Sequence, residues 1–98
     1  MATITTAGGS GTTTVSSLAA NTGQNVNLFT TPATTNATFL VTISCAGEDL
    51  GSGAQEFGKV CQMKVGPSTT VYYPVYNAQP SATRNYYITW GWVSEVIT

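Results

Sequence analysis

Glu56 and Glu95 are the residues of this chain whose type could support a reaction. Two carboxyl groups about 5–9 Å apart, one with a raised pKa, can hydrolyse a glycosidic bond. A fold that joined these two would have the outline of a glycosidase. The plainer expectation is that both are solvated or ion-paired surface charges. Glu48 and Asp49 are adjacent, and neighbours in an extended segment point to opposite faces, so they cannot share a substrate. The chain has no histidine, which excludes nucleophilic catalysis of the Ser-His kind. Cys45 and Cys61 lack CxxC spacing, and two thiols without histidine cannot close a tetrahedral zinc site. They read first as buried free thiols, with a disulfide as the alternative. Gly9-Ser10-Gly11 and Gly51-Ser52-Gly53 each lack a third spaced glycine and a following helix, so neither is a phosphate loop. No catalytic residue, cofactor or metal is expected.

A second chemistry resides in the aromatics. Tyr72, Tyr73, Tyr76, Tyr86, Tyr87, Trp90 and Trp92 crowd the C-terminal third. In an extended segment Tyr86, Ile88, Trp90 and Trp92 share one face, and Tyr87, Thr89, Val93 and Ile97 take the other. Both faces are bulky, so this strand is expected to be covered on both sides, or on one side by another subunit. Aromatics dominate cores and interfaces, and Tyr72, Tyr76, Tyr86, Trp90 and Trp92 are read first in that role. The alternative is a platform on which sugar rings stack. Asn36-Ala37-Thr38 matches a glycosylation acceptor, and since the opening residues do not read as a secretory leader the match is expected to be chance.

The charges narrow the partners. Lys59, Lys64 and Arg84 are the whole basic complement, and net charge is -1. Counterion release on binding nucleic acid would be small, and nucleic acid is rejected as a partner. No apolar run approaches the ~20 residues that span a bilayer, so no membrane partner is expected. The opening residues have no basic region or apolar core, which points to synthesis in a cytosol without processing. With 42% hydrophobic residues and polarity that is nearly all neutral, the chain is suited to contact instead of catalysis. Low net charge also favours association.

The elements that must position these residues read as strands. Residues 1–17 are Thr, Ser, Gly and Ala with Ile4 and Val15 as the bulky anchors, and 7–11 (AGGSG) reads as a flexible joint. This segment is expected to be an extended arm, either disordered or ordered by adding a strand to another chain. Residues 18–98 form one domain. Alternation predicts strands over 24–31, 36–46, 55–65, 69–76 and 85–97, with loops at 47–53 and 77–84 and a turn at Gly66-Pro67-Ser68. Phe39, Val41, Ile43 and Cys45 share one face of the clearest strand. Pro74 cannot donate to a ladder, which places its strand at an edge or a bulge. No helix of amphipathic period is present. Short strands punctuated by Gly, Pro and Asn predict an all-β, antiparallel β-sandwich or jelly roll.

The Thr/Gly-rich opening (MATITTAGGSGTTTV), the neutral LFTTPATTNATFLVTI run, the turn-flanked VGPSTTVYYPVYNA segment and the ending ITWGWVSEVI together resemble small virion proteins of tailed bacteriophages. These decorate capsids or form tail-fibre and adhesin modules. The resemblance implies a β-sandwich, commonly a homotrimer, fixed to a phage particle. The leading expectation is a capsid decoration (cement) protein. Its arm, through Ile4 and Val15, would pair with the major capsid protein, and its domain would trimerise through apolar faces. Three linked contacts then act as one avid attachment. The alternative is a tail-fibre module that binds host glycans through Trp and Tyr rings. Either way the expected location is the virion, after synthesis in the host cytoplasm.

Overall fold

The structure is a computed structural model that describes residues 3–53, 55–57 and 60–97, apart from the side chains of Glu56, Phe57 and Ile97. Apolar residues at every second position give each central strand one buried face, because successive side chains point to opposite faces. Strand β3 (Thr38–Asp49) buries Phe39, Val41, Ile43 and Cys45 on one face and leaves Thr38 and Leu40 exposed on the other. The last strand, numbered β7 (Arg84–Ile97), lies antiparallel to it and buries Arg84, Tyr86 and Ile88 on the same face.

Strand β1 (Ile4–Leu18) occupies the other side of β7, and β4 (Gln55–Phe57) and β5 (Cys61–Val65) both pair with the free side of β3. These five strands form one sheet. Strands β2 (Thr22–Thr30) and β6 (Thr70–Asn77) form a second, two-stranded sheet. All pairings are antiparallel, and the described residues contain no helix. Val26, Val71 and Val75 of the small sheet join the core of the large one, and the ring of Phe29 stacks on Trp90 with centroids 4.3 Å apart. The molecule measures 60 × 18 × 16 Å, with a radius of gyration of 16.4 Å. A compact chain of this length would have a radius of about 13 Å, so this one is drawn out along its strands.

Buried polar side chains tie the ends of the strands together. Asn77 is fully buried; its Nδ2 donates to the carbonyls of Leu18 at 3.0 Å and Ala82 at 2.9 Å, and its Oδ1 accepts from the Gln79 amide at 3.0 Å. It thereby joins the β1–β2 turn to the β6–β7 loop. Thr31 does the same at the other end, donating to the Gly66 carbonyl at 2.7 Å and accepting from the Thr69 amide at 2.9 Å.

Four sequence expectations need correction. The segment 1–17 was expected to be an arm awaiting another chain. Instead, every residue from Ile4 to Val15 pairs with β7 of its own chain, and a bulge follows before Leu18. The supposed joint at 7–11 is strand throughout, because its glycines make room for aromatic rings on β7. The expected loop at 47–53 begins later: β3 continues to Asp49, where the carboxylate meets Arg84 across the sheet. The single strand expected over 55–65 is two short ones, β4 and β5, and Lys59 lies outside the described residues. Pro74 lies in β6, which is paired on one side only, as its missing donor requires.

Candidate functional site

The five aromatics singled out in the sequence divide between two surfaces. On β7, Tyr86, Trp90 and Trp92 face inward. Tyr86 is buried and donates its hydroxyl to the Tyr76 carbonyl at 3.2 Å. Trp92 meets Phe39 edge-on with centroids 5.3 Å apart. The Trp90 Nε1 is buried and has no hydrogen-bond partner. These three are packing residues. On β6, Tyr72 and Tyr76 point out of the opposite side of the small sheet, 55% and 60% exposed. Only these two are placed to meet a ligand or partner.

The pair of expected anchors divides in the same way. Ile4 is exposed, whereas Val15 lies in the core beside Tyr86, its cross-strand neighbour. Val15 therefore cannot serve as a contact for another particle.

Glu56 and Glu95 do not meet. Glu56 pairs with Gly47 and Glu95 with Thr38, nine positions apart on β3. At about 3.3 Å per residue their backbones are roughly 30 Å apart, several times the separation two-carboxylate hydrolysis needs. Arg84 is committed to a buried ion pair with Asp49.

The outer face of the large sheet carries what the sequence analysis read only in part. Leu40 of β3, Val93 and Tyr87 of β7 and Ile4 of β1 are all exposed there, Val93 at 59%. Between them lie Thr, Ser and Gly, and Gly8 and Gly91 lower the floor. An open depression of about 690 Å³ runs between Gly8, Leu40, Val93 and Glu95, with Lys64 at its rim. A second, of about 300 Å³, continues it over Gly91 and Thr42. No described segment of the chain covers this face. The outer edge of β1 is likewise open, since its one strand partner is β7. Strand alternation in 85–97 already put Tyr87 and Val93 together, but what covers them was not legible.

Compared with protein families, with curated proteins and with solved structures, the chain matches none. The reading of function therefore rests on these surfaces.

Cys45 is buried, Cys61 half-buried, and both are free thiols on the inner face near the Tyr73 ring. Burial pushes the Cys45 thiol pKa up. The Tyr73 hydroxyl is raised as well, first by burial and then by the two thiols. A thiol held protonated is a poor nucleophile, so Cys45 behaves as a small core residue.

Proposed function

We propose that this chain is a structural protein of a tailed-bacteriophage virion, a capsid decoration protein that acts by contact area and not by catalysis. The observation that carries the reading is the uncovered outer face of the five-stranded sheet. Leu40, Tyr87, Val93 and Ile4 are displayed there among Thr, Ser and Gly residues, with Lys64 and Glu95 beside them. Exposed apolar side chains spread over an uncovered sheet face, on a chain of net charge -1, are suited to burial against another protein. The elongated shape increases that face relative to the volume of the core.

In this reading the two sheets are the layers of a sandwich, and copies associate, as a trimer, through the outer face. The open edge of β1 adds to a strand on the capsid surface, so main-chain hydrogen bonds supply affinity. Ile4 then anchors the end of that strand, and Val15 has no part in it. Each contact is weak alone, and linking them in one oligomer makes the attachment avid.

The test has two arms. Sedimentation should give an oligomer for the native chain and a folded monomer for Val93→Asp combined with Leu40→Asp. Immunogold labelling of particles that carry the protein should mark the shell. A native monomer at high concentration would remove self-association, and label confined to the tail would remove the decoration role.

A further inference from the structure

We propose that the outer face of the two-stranded sheet is a binding strip for an uncharged sugar chain, with Tyr72 and Tyr76 as stacking rings and Asn25 and Asn27 as hydrogen-bonding partners. This surface is on the opposite side of the molecule from the proposed assembly face, and the inference does not depend on the virion reading.

Register brings the strip together. Tyr72, Pro74 and Tyr76 alternate outward along β6, and directly across from them on β2 are Asn27, Asn25 and Gly23. All six are exposed. A shallow depression of about 330 Å³ lies between Gly23, Asn25, Pro74 and Tyr76. Tyr72 and Tyr76 are four residues apart, about 13 Å along the strand, so the strip suits an elongated ligand.

The Tyr76 ring is held in place before any ligand arrives. One edge of it rests against Gly23, where a Cβ would come within 3.1 Å of its Cδ2 atom. Its own carbonyl accepts the buried Tyr86 hydroxyl, which fixes the backbone behind it. A ring braced along one edge against glycine and 60% exposed offers aromatic surface to a ligand, and restraint reduces the ordering cost of binding.

The chemistry selects the ligand. Strands β2 and β6 contain no Asp, Glu, Lys or Arg, so the strip has no means of attracting a phosphate, sulfate or charged peptide. What it offers is aromatic surface for apolar C–H groups and amides that both donate and accept. A hydroxyl group also donates and accepts. Sugars combine an apolar ring face with a rim of such hydroxyls, and both halves of the strip are then used. A purely apolar partner would leave the Asn25 and Asn27 amides desolvated without compensation.

The experiment is a titration of the isotope-labelled chain followed by amide NMR shifts. The probes are cellohexaose, maltohexaose and chitohexaose, with an anionic heparin hexasaccharide as the comparison. At least one neutral probe should cause saturable shifts centred on Gly23, Asn25, Asn27 and residues 72–76. Tyr76→Ala and Tyr72→Ala, both at exposed positions, should each weaken binding by about tenfold, the loss of a stacking contact of about 1.4 kcal/mol. Val93→Asp should leave it unchanged. The proposal is overturned if no neutral probe gives saturable shifts, if the heparin fragment binds as tightly as the neutral probes, or if the affinity is unchanged in both tyrosine variants. Shifts at the strip that appear on raising protein concentration alone would assign it to a second copy of the chain and overturn it too.

Discussion

The indole of Trp90 lies flat across Gly11 of the neighbouring strand, so that a Cβ on Gly11 would fall 2.5 Å from its Cζ2 atom. Two positions along, Trp92 lies over Gly9 in the same way, with the hypothetical Cβ 2.6 Å from Nε1. Tyr86 repeats the pattern against Gly47 on the other side of β7. Glycine weakens a strand through entropy and the absence of a side chain, and a cross-strand aromatic covers the exposed backbone. The two compensate, and the pairing explains why a glycine-rich segment is a strand here.

Adding a side chain under the indole should therefore cost stability. Gly11→Val is expected to lower unfolding free energy by about 1–3 kcal/mol, the usual range for overpacking. Gly66→Ala, where a Cβ would meet nothing within 4 Å, should change it by less than about 0.5 kcal/mol. Urea denaturation of the two variants checks this. Equal midpoints would mean that the Trp90 ring moves aside freely.

The same pairing shows where sequence reading stopped. Alternation located the central strands because β3 and β7 each bury one apolar face, and burial fixes a period of two. The segment 7–11 carries no such signal: a glycine-rich strand has the composition of a linker, and only its partner reveals it. The clue was that Gly9-Ser10-Gly11 and Trp90-Gly91-Trp92 have complementary profiles, but nothing local to either one says that they pair. Val15 was misjudged for the same reason, since a lone valine among threonines gives no hint that Tyr86 lies beside it. Tyr72 and Tyr76 were legible as candidates, whereas the asparagines opposite them came from the β2–β6 register.

Asn77 is the polar residue on which the strand ends converge. Replacing it with Asp removes the Nδ2 donor and directs a carboxylate at the Leu18 and Ala82 carbonyls. Asn77→Asp should destabilise the fold by more than Asn77→Ala, each by about 2 kcal/mol or more, because buried acceptors lose their donor. Thermal unfolding of both variants tests the order, with a shift of roughly 4–8 °C expected per kcal/mol. Asp tolerated better than Ala would sink this account of the staple.

The Arg84–Asp49 pair gives a sharper contrast. Asp49→Ala leaves the guanidinium in a buried position without its carboxylate, and a loss of about 3–5 kcal/mol is expected. Changing both together, Asp49→Leu with Arg84→Met, should recover most of that loss, since apolar residues of similar volume often replace a buried pair without penalty. A double variant as unstable as the single one would show that Arg84 contributes mainly through its other contacts.

Alkaline stability should depend on Cys45. Its thiol pKa is raised in the folded chain by burial, so the native state holds the proton to higher pH than the unfolded state does. Between those two pKa values the unfolded chain has released a proton that the folded chain retains, and unfolding is favoured as pH rises. The contribution is therefore complete below the unfolded thiol value of about 8.5 and declines above it. Tyr73, raised in the same direction, adds a similar decline nearer pH 10. Urea midpoints measured from about pH 7 to about pH 10 should fall for the native chain and fall less steeply for Cys45→Ala. The variant has a lower midpoint throughout because it loses packing, so the slope is the quantity that discriminates. Parallel profiles would mean that the Cys45 thiol ionises at the same pH in both states and that its burial does not exclude the thiolate.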